Sequence, residues 1–253
     1  MWTDEQFDQL EQEEHTLTEE AIIAMLLSLA STRTDIEKEL RSFYQQYGRD
    51  GVITWNDVRK WTNGKNRKRR MTVLLLFLAD RFNALNLALT PKLESILRQV
   101  AEKEVNFFDV ELDLDDIIYT PWGVDDAIGL VRLADDIDLW ETYVANDLKQ
   151  SFIRQDTIDE VLEQLDKRFT SIERIIKRLA LTESTVVGSI ARKQIFKELG
   201  IGKYRFYARE DERTCEHCGS LHGLTFPMTA YEVGVTASPI HAHCRCWEVP
   251  IVD

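Results

Sequence analysis

The chain has 253 residues, enough for one large domain or two smaller ones, with 44 acidic against 31 basic side chains and a formal net charge of −13. That balance excludes a generic nucleic-acid binder, whose surface is basic, and favours solubility and an acidic face for a basic partner. The acidic start (Asp4, Glu5, Asp8, Glu11, Glu13, Glu14) does not read as a secretory signal, and the longest apolar run, Val73 to Ala79, is too short to span a bilayer. A cytosolic origin with no membrane partner is therefore the expectation.

Thr16 with Glu19 and Thr34 with Glu37 are capping-box patterns, and each predicts a helix start. The first opens AIIAMLLSLA; the second places Ile36, Leu40, Phe43, Tyr44 and Tyr47 on one face, with Gly48 as the stop. Thr54 starts a short helix carrying Trp55, Val58 and Trp61, ended by Asn63-Gly64. The basic run GKNRKRR follows, with Lys65, Arg67, Lys68, Arg69 and Arg70. Two readings stand side by side: contact with DNA phosphates, or a solvated helix start paired with the protein's own acids. The run lacks the spacing of a phosphate loop. A helix is expected from here to Leu89, and Thr90-Pro91 places proline at N1 of another running toward Val110.

The acidic, turn-rich stretch DVELDLDDIIYTPWG sets a boundary near Pro121. Leu139, Tyr143, Val144 and Leu148 predict one helix, and Ile158, Val161, Leu162, Leu165 and Phe169 a second. A third runs from about Ser171 to Leu199 and stops at Gly200. Glu183 reads as a buried ion-pair residue with an arginine of that long helix. Trp55, Trp61, Trp122, Trp140 and Trp247 read as packing residues rather than a base-stacking platform. Beyond Gly200 the period changes: KYRFYARE, GLTFP and CRCWEVPIV are short strands. The expected fold is mostly α, with helical regions over 1–120 and 121–200 and a small antiparallel β module, stabilised by zinc, over 201–253.

All four cysteines and four of the five histidines lie in that last region. Zn²⁺ takes four tetrahedral nitrogen or sulfur ligands. Cys215 and Cys218, separated by two residues and followed by Gly219, suit a tight turn that presents both sulfurs. The second half offers His241, Cys244 and Cys246, and the two cysteines share a face if the piece is a strand. Spacing alone does not choose which completes the site. Buried small thiols or two disulfides are the alternatives, and the clustered histidines favour metal. His217 and His222 read as surface or locally hydrogen-bonded residues, and His243 has weaker spacing support.

Enzyme templates fail. No histidine is followed two residues later by glutamate, as a zinc deaminase requires, and no H-E-x-x-H is present. A zinc-finger nuclease needs a helix after its last ligands, whereas the residues after Cys246 read as a strand.

Asp211, Thr214, Cys215, Cys218, Leu221 and Gly223, followed by Pro239, His241, Cys244, Arg245 and Cys246, form a specific signature. It resembles that of the phage head-morphogenesis family of minor head proteins related to protein F of phage Mu. Weaker similarity extends upstream through Thr182, Glu183, Gly200, Tyr204 and Phe206 and to the YTPWG loop. The resemblance implies a non-enzymatic virion protein inside the capsid at the portal vertex, present in the host cytoplasm during assembly. It would act in head morphogenesis and in DNA packaging or ejection. Its implied partners are the portal protein, capsid or scaffolding protein, and phage DNA. The resemblance also points to Cys215, Cys218 and His241 plus one of the final cysteines as ligands. A zinc-dependent nuclease and a cellular zinc-ribbon adaptor are the competing readings.

Overall fold

The first helix starts at Thr3, whose Oγ1 accepts from the Gln6 amide at 3.3 Å while Gln6 Oε1 accepts from the Thr3 amide at 2.8 Å. From this capping box α1 runs unbroken over Asp4–Tyr47 in the computed structural model, which describes residues 2–63 and 68–252. Thr16 and Thr34 are therefore helix-interior residues, not starts. Their hydroxyls donate to the carbonyls of Gln12 and Ala30 one turn back, at 2.8 and 2.9 Å. The reason lies in the burial pattern: Phe7, Leu10, Glu14, Thr18, Ile22, Met25, Leu29, Thr32, Ile36, Leu40 and Phe43 keep a spacing of three or four through both threonines.

Thr54 does start α2 (Trp55–Val58), in a capping box with Asp57. Next, α3 (Arg70–Phe108) continues straight through Pro91, so the expected break at Thr90-Pro91 is absent. Pro91 lies on the exposed side, where the carbonyl its ring leaves unbonded can meet water. Leu85, Leu89, Leu93, Ile96 and Leu97 carry the buried stripe past it. Among the described residues this one helix is long and apolar enough to cross a membrane, because the apolar character resumes beyond Asp80 and Arg81. On this helix Leu74, Leu78 and Phe82 are buried while Leu75, Leu76 and Leu87 are exposed, and Arg81 ion-pairs with Asp35 at 3.0 Å.

The order continues with α4 (Leu114–Ile118), α5 (Gly129–Arg154) and α6 (Ile158–Glu198). Two expected helices merge in α6, which a Thr157–Glu160 capping box opens. Gly200 at φ 67° closes it, with the Ile201 amide reaching back to the Phe196 carbonyl at 2.8 Å. The remainder is β1 (Lys203–Tyr207), α7 (Glu216–Leu221), β2 (Thr225–Pro227), a short 3₁₀ turn and β3 (Trp247–Ile251). The strands form one antiparallel sheet in the order β2-β1-β3, with Tyr204 opposite Phe226 and Pro250, and Phe206 opposite Glu248. The mostly helical fold with a small C-terminal sheet is as the sequence indicates.

The chain divides into two compact units. One comprises Met1–Ile23, Lys92–Arg132 and Lys177–Asp253, the other Ala24–Pro91 and Leu133–Ile176, so the long helices serve both. In the second unit Trp140, Phe152 and Phe169 are buried, and Tyr44 donates to the Asp156 carbonyl at 3.0 Å. The first unit holds the sheet and every cysteine. Trp140 and Trp247 are core residues as expected, but Trp61 is exposed.

Candidate metal centre

Cys215 is placed by the turn that precedes it. Asp211 Oδ1 accepts from the Arg213 amide at 2.9 Å, and its carbonyl accepts from Thr214 at 3.0 Å. Thr214 also donates to the Arg209 carbonyl. Cys215 is then the N-cap of α7, its Sγ accepting from the Cys218 amide at 3.3 Å. The pair is thus presented by a helix start rather than by a left-handed glycine. Gly219 is helical, and the positive φ falls at Gly223.

The second half approaches on a loop, not a strand, because β3 begins only at Trp247. The Cys244 amide donates to the His241 carbonyl at 3.1 Å, with His243 between them at φ 61°. Two threonines of α6 dock this loop: Thr185 donates to the Cys244 carbonyl at 3.3 Å, and Thr182 accepts from the His243 amide at 3.4 Å. Arg245 reaches back to Asp211 with two bonds of 2.6 Å, tying the two halves of the signature together.

These devices gather all five candidate ligands. His241 Nε2 lies 3.2 Å from Cys215 Sγ and 3.3 Å from Cys218 Sγ, and Cys218 Sγ lies 3.8 Å from Cys244 Sγ. Donor atoms lie within 4.8 Å of one another in two triads, Cys215–Cys218–His241 and Cys218–Cys244–Cys246, which share Cys218. A tetrahedral zinc holds sulfur–sulfur edges of about 3.8 Å and sulfur–nitrogen edges of about 3.6 Å. The donor set and spacing fit a metal ion. His241 Nδ1 sits 2.8 Å from the Ala242 carbonyl, and donation there leaves Nε2 as the ligating nitrogen.

All four cysteines are free thiols, and Cys218, Cys244 and Cys246 are buried around Phe206 and Ala208, so they also form a small apolar core. Their proton affinities diverge. The Cys218 amide holds Cys215 below the ordinary thiol value. A hydrogen bond from Cys246 draws Cys244 down to about 5, and the same bond holds Cys246 up. Burial pushes Cys218 up to about 12. Sulfurs this close cannot all ionise without a positive partner, and a bound cation supplies one.

The remaining histidines behave as the sequence suggests. His217 is exposed, and His222 Nδ1 accepts from the Ala208 amide at 3.2 Å. Glu183 is a buried ion-pair residue, but its partner is Arg132 in the first turn of α5, at 2.8 Å, with Trp122 Nε1 donating at 2.9 Å. The YTPWG loop is therefore pinned to α6 by that carboxylate. Of the basic run, Lys65 and Arg67 lie outside the described residues. Arg70 stacks over Tyr47 at 4.1 Å, Arg69 approaches Trp61 at 5.8 Å, and Lys68 is exposed.

This geometry coincides with a family match. Residues 142–249 match the family model described as Phage Mu protein F like protein. The matched segment is similar to that family and contains the whole Cys/His constellation with the threonines and glutamate of α6 behind it. That family is one of structural head proteins. No curated protein and no solved structure is detectably similar to the chain.

Proposed function

We propose that the protein is a minor head protein of a phage, bound at the portal vertex inside the capsid and acting in head assembly and in DNA packaging or ejection. The observation that carries this reading is the assembly of the signature residues into one centre within the matched segment. Zinc is the metal best suited to the three thiolates and one imidazole. Cys215, Cys218 and His241 hold it, with Cys244 as fourth ligand because its sulfur already stands at the tetrahedral edge distance from Cys218. Cys246 then serves as hydrogen-bond donor to Cys244. Bound zinc would be a structural staple whose binding energy is folding energy.

Phage DNA is a candidate second partner through Lys65, Arg67, Lys68 and Arg69, with Arg70 more engaged by its own fold. The nuclease and zinc-ribbon adaptor readings are not favoured. Quantitative proteomics of purified procapsids and mature heads tests the proposal: the chain should co-purify with the portal protein at low copy number. Its absence from both particles would overturn the reading.

A further inference from the structure

Glu11 and Glu14 on α1, Glu104 on α3 and Arg192 on α6 converge inside the first unit. Glu104 and Arg192 are 0 % and 2 % exposed and Glu14 is 8 % exposed. Carboxylate oxygens of the three glutamates lie within 4.8 Å of one another. Arg192 donates to Glu11 and to Glu104 through one guanidinium nitrogen. The three carboxylates outnumber the one guanidinium that bonds two of them, an excess of negative charge that burial does not tolerate when all are ionised. Glu248, also facing Arg192, is a separate case. It accepts from the Ser238 amide at 2.6 Å and Tyr231 Oη at 3.0 Å, with Ser189 Oγ at 3.3 Å.

Hydrogen bonding leaves the cluster incomplete in a specific way. Glu14 Oε1 and Glu104 Oε2, both fully buried, have no hydrogen-bond partner, and neither does Arg192 Nε. An unpartnered buried carboxylate oxygen is expensive, and here two glutamates from different helices, whose carboxylates approach within 4.8 Å, each carry one. Glu11, Glu14 and Arg192 also line a cavity of about 370 Å³, whose wall they share with His241, Cys244 and Cys246 and from which Glu11 and Glu14 can be reached.

We infer that Glu11, Glu14 and Glu104 form a binding site for one hard divalent cation of the Mg²⁺, Mn²⁺ or Ca²⁺ class. Oxygen-only donors select such ions over zinc, and a dication offsets the excess of carboxylates beside Arg192. The cation would cross-link α1 to α3 through a donor set distinct from the thiol and imidazole ligands.

The test uses Mn²⁺ as probe on the full chain in metal-free buffer at about pH 7.5, without a chelator that would strip the thiol site. Equilibrium dialysis with elemental analysis, together with the EPR signal of free Mn²⁺, should show saturable binding of about one ion per chain, displaced by Mg²⁺ or Ca²⁺. Glu14→Gln, which removes a carboxylate whose Oε1 makes no hydrogen bond, should keep the fold by circular dichroism and weaken Mn²⁺ binding about tenfold or more. Cys215→Ser should leave it intact. No saturable Mn²⁺ in the wild type, or equal binding in Glu14→Gln, overturns the site. So does stabilisation by acidification alone with no response to Mn²⁺, which would show that protons fill the cluster.

Discussion

Asp211 and Arg245 form a two-pronged ion pair, both bonds 2.6 Å, between the turn that delivers Cys215 and the loop that delivers Cys244 and Cys246. Arg245 holds the Asp211 carboxyl far below the usual carboxylate range. The pair touches no ligand atom, yet it fixes the separation of the two ligand pairs. Asp211→Asn and Arg245→Lys should each weaken metal retention about 10–100-fold, the range for residues that orient ligands, and the double variant should cost little more than either alone. Competition with a chromophoric chelator measures this; unchanged release rates would assign the pair to the surface alone.

Glu183 holds Trp122 and Arg132 together, with Arg132 also bonded to Asp125 and to the Trp122 carbonyl. Glu183→Ala leaves Trp122 Nε1 and one arm of Arg132, which keeps Asp125, without their acceptor and should destabilise the chain by about 2 kcal/mol, whereas Glu183→Gln, which still accepts from Trp122, should cost less. Gly129→Ala should also destabilise, because a Cβ there meets the Glu183 carboxyl at 2.7–2.9 Å. Denaturant titration of the variants checks the order.

Asp57 caps α2 and bonds Lys60 at 2.6 Å, and these bonds lower its carboxyl from 3.8 to about 2. A depressed folded-state value means its stabilisation is present above 3.8 and drains as pH falls toward about 2. Melting temperatures over this acid window should converge for wild type and Asp57→Ala, after differing by about 1 kcal/mol of cap stability at neutral pH. A difference that stays constant would contradict the assignment.

Much of the centre was legible because thiols and imidazoles advertise themselves by spacing. The strands were legible because Tyr204 and Phe206 alternate with exposed Lys203 and Arg205. Helix lengths were not. Thr3-x-x-Gln6, Thr16-x-x-Glu19 and Thr34-x-x-Glu37 are the same local signal, and only the continuity of the buried stripe shows that the last two lie mid-helix. Pro91 misled for the same reason: an exposed proline is survivable where the opposite face is anchored by Leu85, Leu89 and Leu93. Nothing in the sequence marks Glu11, Glu14 and Glu104 as neighbours, since α1 and α3 meet Arg192 only through tertiary packing. Glu183's partner was hidden likewise, because Arg132 lies 51 residues away in sequence.

Metal content of the reduced protein tests the central claim most directly, that the signature residues build one metal staple in a head protein. Native mass spectrometry with elemental analysis should find about one zinc per wild-type chain, lost in Cys215→Ser, Cys218→Ser and Cys244→Ser and retained in Cys246→Ser. Far-UV circular dichroism should stay largely helical in all of them, because the buried stripes of the long helices do not depend on the centre. Zinc-free wild type with four free thiols, or with two disulfides, would contradict the account.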